Sequence, residues 1–100
     1  MQPGDNTPIR ELLRAHGLRT SLFRLKVLNA LVLAVREGRS IDVRGVQGCL
    51  GRSCVEISLV SVREVLKRLA EEGVVELKDD NTCRFTLQAL AALEPCLDRG

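Results

Sequence analysis

The stretch "ISLVSVREVLKRLAEEGVVEL", residues 57–77, constrains the fold most, because its hydrophobic period changes once, at a glycine. The apolar residues of its first part recur three or four positions apart: Leu59, Val62, Leu66 and Leu69. This spacing predicts an amphipathic helix, with Ser58 as a suitable N-cap and Gly73 as a suitable end. Beyond the glycine, Val75 and Leu77 alternate with charged residues, which indicates a strand. The pattern therefore predicts a helix that leads directly into a strand.

Two further helical patterns precede this stretch in the chain. "NTPIRELLRAHG" predicts a helix at about residues 8–16. "LRTSLFRLKVLNALVLAVREG" predicts a longer helix, capped by Thr20 or Ser21 and ended by Gly38. The predicted apolar stripe of the longer helix comprises Leu22, Leu25, Leu28, Leu31, Val32 and Val35. Because only two residues of the chain are aromatic, we expect this aliphatic helix to form much of the core.

A weaker helical pattern, "SIDVRGVQGCLG", follows. Asp42 is a suitable cap, and three apolar residues are expected to face inward: Val43, Val46 and Leu50. Gly45 and Gly48 interrupt the pattern, and each costs a helix about 1 kcal/mol relative to alanine. This helix is therefore expected to be short and to depend on packing.

The C-terminal part of the pattern predicts a β-hairpin. "VVELK" and "CRFTL" are strand-like and are separated by the turn sequence "DDNT", with Cys83, Phe85 and Leu87 expected on one face. The tail "QALAALEPCLDRG" has the composition of a short helix. Four apolar residues at its start and just before it are expected either to cover the core or to form a dimer interface: Leu87, Leu90, Ala91 and Leu93.

These elements together predict a mainly α fold with a small β-hairpin, a winged helix-turn-helix. We expect one domain of 100 residues, with a core fold at about 8–87 and a tail at 88–100. In this architecture the last helix of the turn motif enters the major groove of DNA, while the hairpin contacts the flanking backbone or minor groove.

Charge is divided unevenly between the two parts of the chain. Residues 1–55 contain nine Lys or Arg residues and four acidic residues, a net charge of +5, whereas residues 56–100 have a net charge of −3. A basic N-terminal part is suited to DNA phosphates. An ordinary solvated surface gives the same charge count, so both interpretations stay open.

Cysteines and the histidine give little indication of chemistry. Cys49, Cys54, Cys83 and Cys96 include no CxxC pair. We favour structural roles, with a redox pair of Cys49 and Cys54 or a zinc site as alternatives. His16 is expected to interact favourably with the C-terminal end of the first helix.

No motif of an enzyme is found in the sequence, and we expect no cofactor, metal ion or small-molecule substrate. The first residues do not have the pattern of an export signal, and no apolar run is long enough for a membrane span. We therefore expect a cytoplasmic protein.

Three segments in the same order carry a family resemblance: "LLRAHGLRTSLFRLKVLNAL", "SIDVRGVQGCL" and "ISLVSVREVLKRLAEEGVVEL". Over about residues 12–87 the chain resembles the N-terminal DNA-binding domain of the ferric uptake regulator (Fur) family. The resemblance implies that Arg19 lies toward the minor groove, that Arg24 lies near phosphates, and that Arg63 and Glu64 occupy the positions of the family's base-reading Tyr-Arg pair.

The sequence departs from the family pattern in two ways. A glutamate can only accept and is suited to the N4 amino group of cytosine, whereas an arginine is suited to guanine, so the family's AT-rich target does not carry over to Arg63 and Glu64. Family members also carry a second domain that dimerises and binds metal partly through histidines. With one histidine in the chain, we expect no such metal site.

The sequence thus predicts a DNA-binding transcriptional regulator that binds double-stranded DNA as a homodimer or together with a related regulator. The predicted DNA-binding residues are Arg14, Arg19, Arg24, Lys26, Ser58, Ser61, Arg63, Lys67, Arg68, Lys78 and Arg84. The alternative is a winged-helix interaction module that modulates another regulator without binding DNA. Its motivation is the mixed charge of residues 57–77, with Glu64–Arg68 and Lys67–Glu71 as predicted ion pairs.

Overall fold

The computed structural model describes residues 7–51 and 58–93. Five helices and three strands follow one another in these ranges: α1 (Thr7–Ala15), α2 (Leu22–Arg36), β1 (Ile41–Asp42), α3 (Val43–Gly51), α4 (Leu59–Glu71), β2 (Val75–Leu77), β3 (Thr82–Phe85) and α5 (Leu87–Ala92). The predicted mainly α class and the helical periods are confirmed. Helix α3 packs against α2 and α4, and the strands pack beside α4, which is a winged helix-turn-helix arrangement.

The wing is a three-stranded antiparallel sheet with the strand order β1-β3-β2, so the prediction of a two-stranded hairpin was incomplete. Ile41 pairs with Cys83, and Val75 pairs with Phe85. The missed strand β1 has only two residues, too few to show an alternating pattern. Because β1 leads directly into α3, the sheet is attached to the helix-turn-helix unit at both ends of the motif.

Local hydrogen bonds explain where three helices begin. The hydroxyl oxygen of Ser21 accepts the backbone N–H of Arg24 at 3.1 Å, which caps α2. The Asp42 carboxylate accepts the N–H of Gly45 at 2.8 Å at the start of α3. Thr86 caps α5 through the N–H of Ala89 at 3.2 Å. The predicted caps Ser21 and Asp42 are confirmed.

The core is mainly aliphatic and receives side chains from all five helices and the sheet of the described ranges. Its largest fully buried side chains are Ile9, Leu13, Leu28, Leu31, Leu50, Leu66, Leu69 and Leu93. Leu93 therefore covers the core of its own chain, and Ala89 of α5 is buried beside it. No polar or charged side chain in the described ranges is buried.

Two positions of the predicted α2 stripe were wrong. Leu22 and Val35 lie in the terminal turns of α2, and their side chains are 68% and 38% exposed. Leu87, predicted to share a strand face with Cys83 and Phe85, is 85% exposed, because β3 ends at Phe85 and the chain has entered α5 by that point. The periodicity of apolar residues does not show where a helix or strand extends beyond the elements that pack against it, and its side chains are exposed there.

His16 directly follows α1 and makes a contact that the sequence did not predict. Its side chain hydrogen-bonds to the backbone carbonyl of Glu72 at the end of α4. This contact joins α1 to the helix that the sequence indicated as the DNA reader.

Candidate nucleic-acid interface

Helix α4 begins at a serine cap. The Ser58 hydroxyl oxygen accepts the backbone N–H of Ser61 at 3.1 Å, and the Ser58 hydroxyl donates to the Ser61 hydroxyl oxygen at 3.0 Å. Because Ser58 both accepts and donates within the cap, its main role is to start the helix. Ser61 accepts in this contact, and its own hydroxyl proton is left to donate outward.

The inner face of α4 fixes which side chains point away from the protein. Val62, Leu66 and Leu69 are fully buried, so the opposite face is turned to solvent. The exposed residues of that face are Val60, Ser61, Arg63, Glu64, Lys67, Arg68 and Glu71. The predicted reading residues of the helix therefore share one exposed surface, which we call the α4 face.

Val60 is a member of the α4 face that the sequence interpretation missed. Its side chain is 70% exposed near the start of the helix. An apolar side chain in a DNA groove is suited to the methyl group of thymine. The signal was present in the sequence, because Val60 lies outside the apolar stripe of its helix.

The charged side chains of α4 are engaged to different degrees. Arg68 forms an ion pair with Glu72 at 3.7 Å, in place of the predicted pairs Glu64–Arg68 and Lys67–Glu71. Within residues 7–51 and 58–93, neither Arg63 nor Lys67 has an acidic partner. These two cations are therefore the ones on α4 that are available to a phosphate or a base.

Arg63 contacts the wing. Its Nε donates to the Asn81 side-chain oxygen at 3.4 Å, although the two residues are 18 positions apart. Asn81 lies in the turn between β2 and β3 with a φ of 70°, a left-handed conformation that asparagine tolerates. The α4 face and the tip of the wing are thereby neighbours on one surface.

Hydrogen bonds within the wing turn hold its shape. The Lys78 N–H donates to the Thr82 carbonyl at 2.9 Å, and the Asn81 N–H donates to the Lys78 carbonyl at 2.9 Å. The Asp80 carboxylate accepts the Thr82 N–H at 3.0 Å, and hydrogen bonds from Thr82 lower the pKa of Asp80. The turn is therefore ordered by its own backbone and by one carboxylate.

The two predicted basic residues of the wing differ in their surroundings. Arg84 donates to the carboxylate of Glu76 across the β2–β3 pair at 2.7 Å. The negative charge of this carboxylate weakens the attraction between Arg84 and a DNA phosphate. Lys78 is exposed and has no ion pair within the part of the chain that the structure describes. Lys78 is thus the stronger candidate for a backbone contact.

The predicted N-terminal basic residues lie on α1, α2 and the loop between them. Arg14 and Arg19 are exposed, and Arg24 and Lys26 are half-buried. Arg24 donates from Nη1 to the Arg19 carbonyl oxygen at 2.8 Å, so its guanidinium holds the loop before α2. Within the described ranges, no side-chain hydrogen bond or ion pair joins these four residues to α4. Their joint use with the α4 face stays a prediction.

Thiols and acids do not form a metal centre in the residues described. No three His, Cys, Asp or Glu side chains there could hold a metal ion together. Cys83 is buried in the sheet, where burial, followed by the nearby charge of Asp42, raises the pKa of its thiol to about 11. Cys49 is half-buried, while Cys54 and Cys96 lie outside the described residues. The proposed Cys49–Cys54 redox pair therefore stays a prediction.

No helix in the described ranges has the length and apolar character required to cross a membrane.

Comparisons with known proteins give a family match and a structural relative. The model of the family described as "Uncharacterised conserved protein UCP029502" matches residues 4–98. No curated protein matches the sequence. The structure is similar to that of the Vibrio cholerae ferric uptake regulator (Fur), with 25% sequence identity and a TM-score of 0.65. The match covers 80% of this chain and 63% of that chain, so this chain spans less than two thirds of the regulator's length. The crystal structure of the regulator is described as revealing a structural rearrangement of its DNA-binding domains.

Proposed function

The chain belongs to the family described as "Uncharacterised conserved protein UCP029502", and we propose that it is a DNA-binding transcriptional regulator of the Fur-like winged-helix type. The observation that carries this proposal is the joined surface of α4 and the wing. Arg63 and Lys67 are exposed on α4 and have no acidic partners in the described ranges, and Arg63 reaches Asn81 in the wing. A helix of this kind fits a major groove about 12 Å wide, with the wing over the flanking backbone.

Similarity to the Vibrio regulator supports the same interpretation. A chain with 25% identity and the same fold over 80% of this chain's length provides a precedent for DNA binding by this helix-turn-helix unit. The substituted side chains of the α4 face, above all Arg63 and Glu64, then imply a target sequence of its own. A regulator of this type acts where the genomic DNA is, so we propose a cytoplasmic location.

We further propose that the protein binds DNA as a dimer, either with itself or with a related regulator. One helix of this size contacts few base pairs, and a two-fold partner doubles the site. Of the four apolar tail residues predicted for an interface, Leu87 and Ala91 are exposed, Leu90 is half-buried and Leu93 is buried. Leu87 is therefore the residue of this set that is best placed to contact a partner.

A second candidate function is a protein-interaction module that modulates a regulator without binding DNA. The acidic members of the α4 face favour it, because Glu64 and Glu71 would repel phosphates. The two functions differ in what the α4 face contacts, so the same variants test both.

Direct binding to a duplex of random sequence separates the two candidates. We expect fluorescence anisotropy to show binding at low salt that weakens steeply as salt is added, because released counterions drive such binding. The variants Arg63→Ala and Lys67→Ala should each weaken binding, whereas Arg10→Ala, which removes an equal charge from the exposed face of α1, should have a smaller effect. Absence of binding at low salt would favour the interaction module.

A further inference from the structure

Asn81 of the wing is held in place by the helix-turn-helix unit. Its backbone carbonyl oxygen accepts the N–H of Val43, the first residue of α3, at 3.0 Å. The same carbonyl oxygen lies 3.5 Å from the Sγ of Cys83, which donates to it from the buried side of β3. These contacts fix the backbone of Asn81, and with it the position from which the side chain extends, relative to α3 and α4.

The Asn81 side chain engages only one part of Arg63. The hydrogen bond uses the inner nitrogen, Nε, and leaves the two terminal nitrogens of the guanidinium with their four N–H donors. A guanidinium is planar, so a contact at Nε also restricts the plane in which the terminal nitrogens lie. Arg63 has no acidic partner within residues 7–51 and 58–93, so the terminal nitrogens are not held by a carboxylate there.

We infer that Asn81 is a positioning residue that orients Arg63 for bidentate recognition of a guanine. The O6 and N7 atoms of guanine in the major groove accept two parallel hydrogen bonds from an arginine fork. The inference rests on the proposed DNA-binding function and names the base that the site selects. Arg63 makes the contact with the base, and Asn81 acts through Arg63.

Two substitutions at Asn81 separate its side chain from its backbone role. Asn81→Gly removes the side-chain oxygen, while glycine readily adopts the φ of 70° and keeps the carbonyl that Val43 uses. Asn81→Asp keeps an acceptor in the same place and also tolerates this conformation. Thermal unfolding of both variants establishes that the fold is retained.

The experiment begins with duplexes selected from a random pool by the unaltered protein. Affinities are then measured for the selected duplex and for each single-base-pair change, with the unaltered protein and with Arg63→Ala, Arg63→Lys, Asn81→Gly and Asn81→Asp. Ratios between duplexes are compared, since a general change in electrostatic attraction affects all duplexes alike.

We expect one guanine to be preferred over the other bases by about tenfold or more in the unaltered protein, as for other bidentate contacts. Arg63→Ala should abolish that preference, and Arg63→Lys should weaken it, because an ammonium is a point charge and not a planar fork. Asn81→Gly should reduce the preference several-fold and change the low-salt affinity for random duplex little. Asn81→Asp should keep the preference.

Three results would overturn the inference in distinguishable ways. A guanine preference that survives intact in Asn81→Gly would refute the positioning role of Asn81. A base preference that Arg63→Ala leaves unchanged would refute recognition by Arg63. If no duplex binds at low salt, the proposed DNA-binding function itself fails, and this inference fails with it.

Discussion

The Nδ1 atom of His16 lies 2.7 Å from the backbone carbonyl oxygen of Glu72, the C-cap residue of α4. Because a carbonyl can only accept, Nδ1 carries the proton and donates it. The bond joins the turn after α1 to the end of the candidate reading helix, next to Gly73, which has a φ of 81°. The start of the chain therefore helps to fix the place where α4 gives way to β2.

Replacing His16 with alanine should lower the free energy of unfolding by about 1 kcal/mol, the usual net contribution of one hydrogen bond. The loss is expected because the Glu72 carbonyl is left without this donor. Urea denaturation measures it, with Arg10→Ala on the exposed face of α1 as the control. Equal stability of the two variants would show that the contact contributes nothing.

The two glycines inside α3 should respond oppositely to alanine. A Cβ at Gly45 would lie 2.7 Å from Cγ1 of Ile41, which is buried and β-branched, whereas a Cβ at Gly48 meets nothing within 4 Å. Gly48→Ala should therefore stabilise by about 0.5–1 kcal/mol through helix propensity. In Gly45→Ala the same gain is outweighed by an overpacking cost of about 1–3 kcal/mol.

Thermal and urea unfolding of the two glycine variants test this difference in sign. Stabilisation by Gly45→Ala would mean that Ile41 and β1 shift at little cost. Destabilisation by Gly48→Ala would contradict the gain in helix propensity that is expected at this open position of α3.

Stability should fall in alkaline solution because of Cys83. Burial raises the pKa of its thiol from 9.0 to about 11, so the folded state keeps the proton after the unfolded state has lost it. The contribution of the protonated thiol is complete below pH 9 and is lost as the pH rises toward 11, and it amounts to about 3 kcal/mol.

The measurement for Cys83 compares the unfolding free energy of the unaltered protein and of Cys83→Ala at several pH values between about 8 and 11, the range over which the two states differ in protonation. We expect the difference between the two proteins to change over the upper part of that range. A parallel pH dependence of both proteins would show that Cys83 does not contribute, and Cys49→Ala provides the comparison for loss of a half-buried thiol.

Local signals explain why α4 was predictable from the sequence. Its cap, its stripe and its final glycine all lie within 16 residues, so the pattern requires no knowledge of the rest of the fold. Strand β1 was not predictable in this way, because Ile41 and Asp42 are a strand only through pairing with residues about 40 positions later. Leu87 was misplaced because the end of β3 depends on the onset of the following helix.

In the candidate site, too, local features were predictable from the sequence and long-range contacts were not. The exposure of Arg63 and Lys67 follows from helical period, and both were predicted. The contact between Arg63 and Asn81 depends on how the wing packs beside α4, and a spacing of 18 residues carries no local signal. The engagement of Arg68 by Glu72 was missed in favour of Glu64, since several acids lie within reach on one helix.

Lys67 and Arg68 are adjacent on α4 and should contribute differently to DNA binding. Arg68 has a carboxylate partner in Glu72, which it must leave or share in order to reach a phosphate, whereas Lys67 has none in the described part of the chain. Lys67→Ala should therefore weaken binding about equally for all sequences. It should also reduce the slope of log affinity against log salt by about 1, the contribution of one phosphate contact. Arg68→Ala should change both quantities less.

Titrations of one duplex at four or more salt concentrations measure both slopes under identical conditions. The double replacement Arg68→Ala with Glu72→Ala is the control, because it removes the pair without leaving an unpaired acid next to the DNA. If Arg68→Ala alone reduced the slope as much as Lys67→Ala does, the ion pair with Glu72 would not be limiting the contact. If Lys67→Ala left the slope unchanged, Lys67 would not be a phosphate ligand, and the part of α4 that faces the backbone would have to be assigned to other residues.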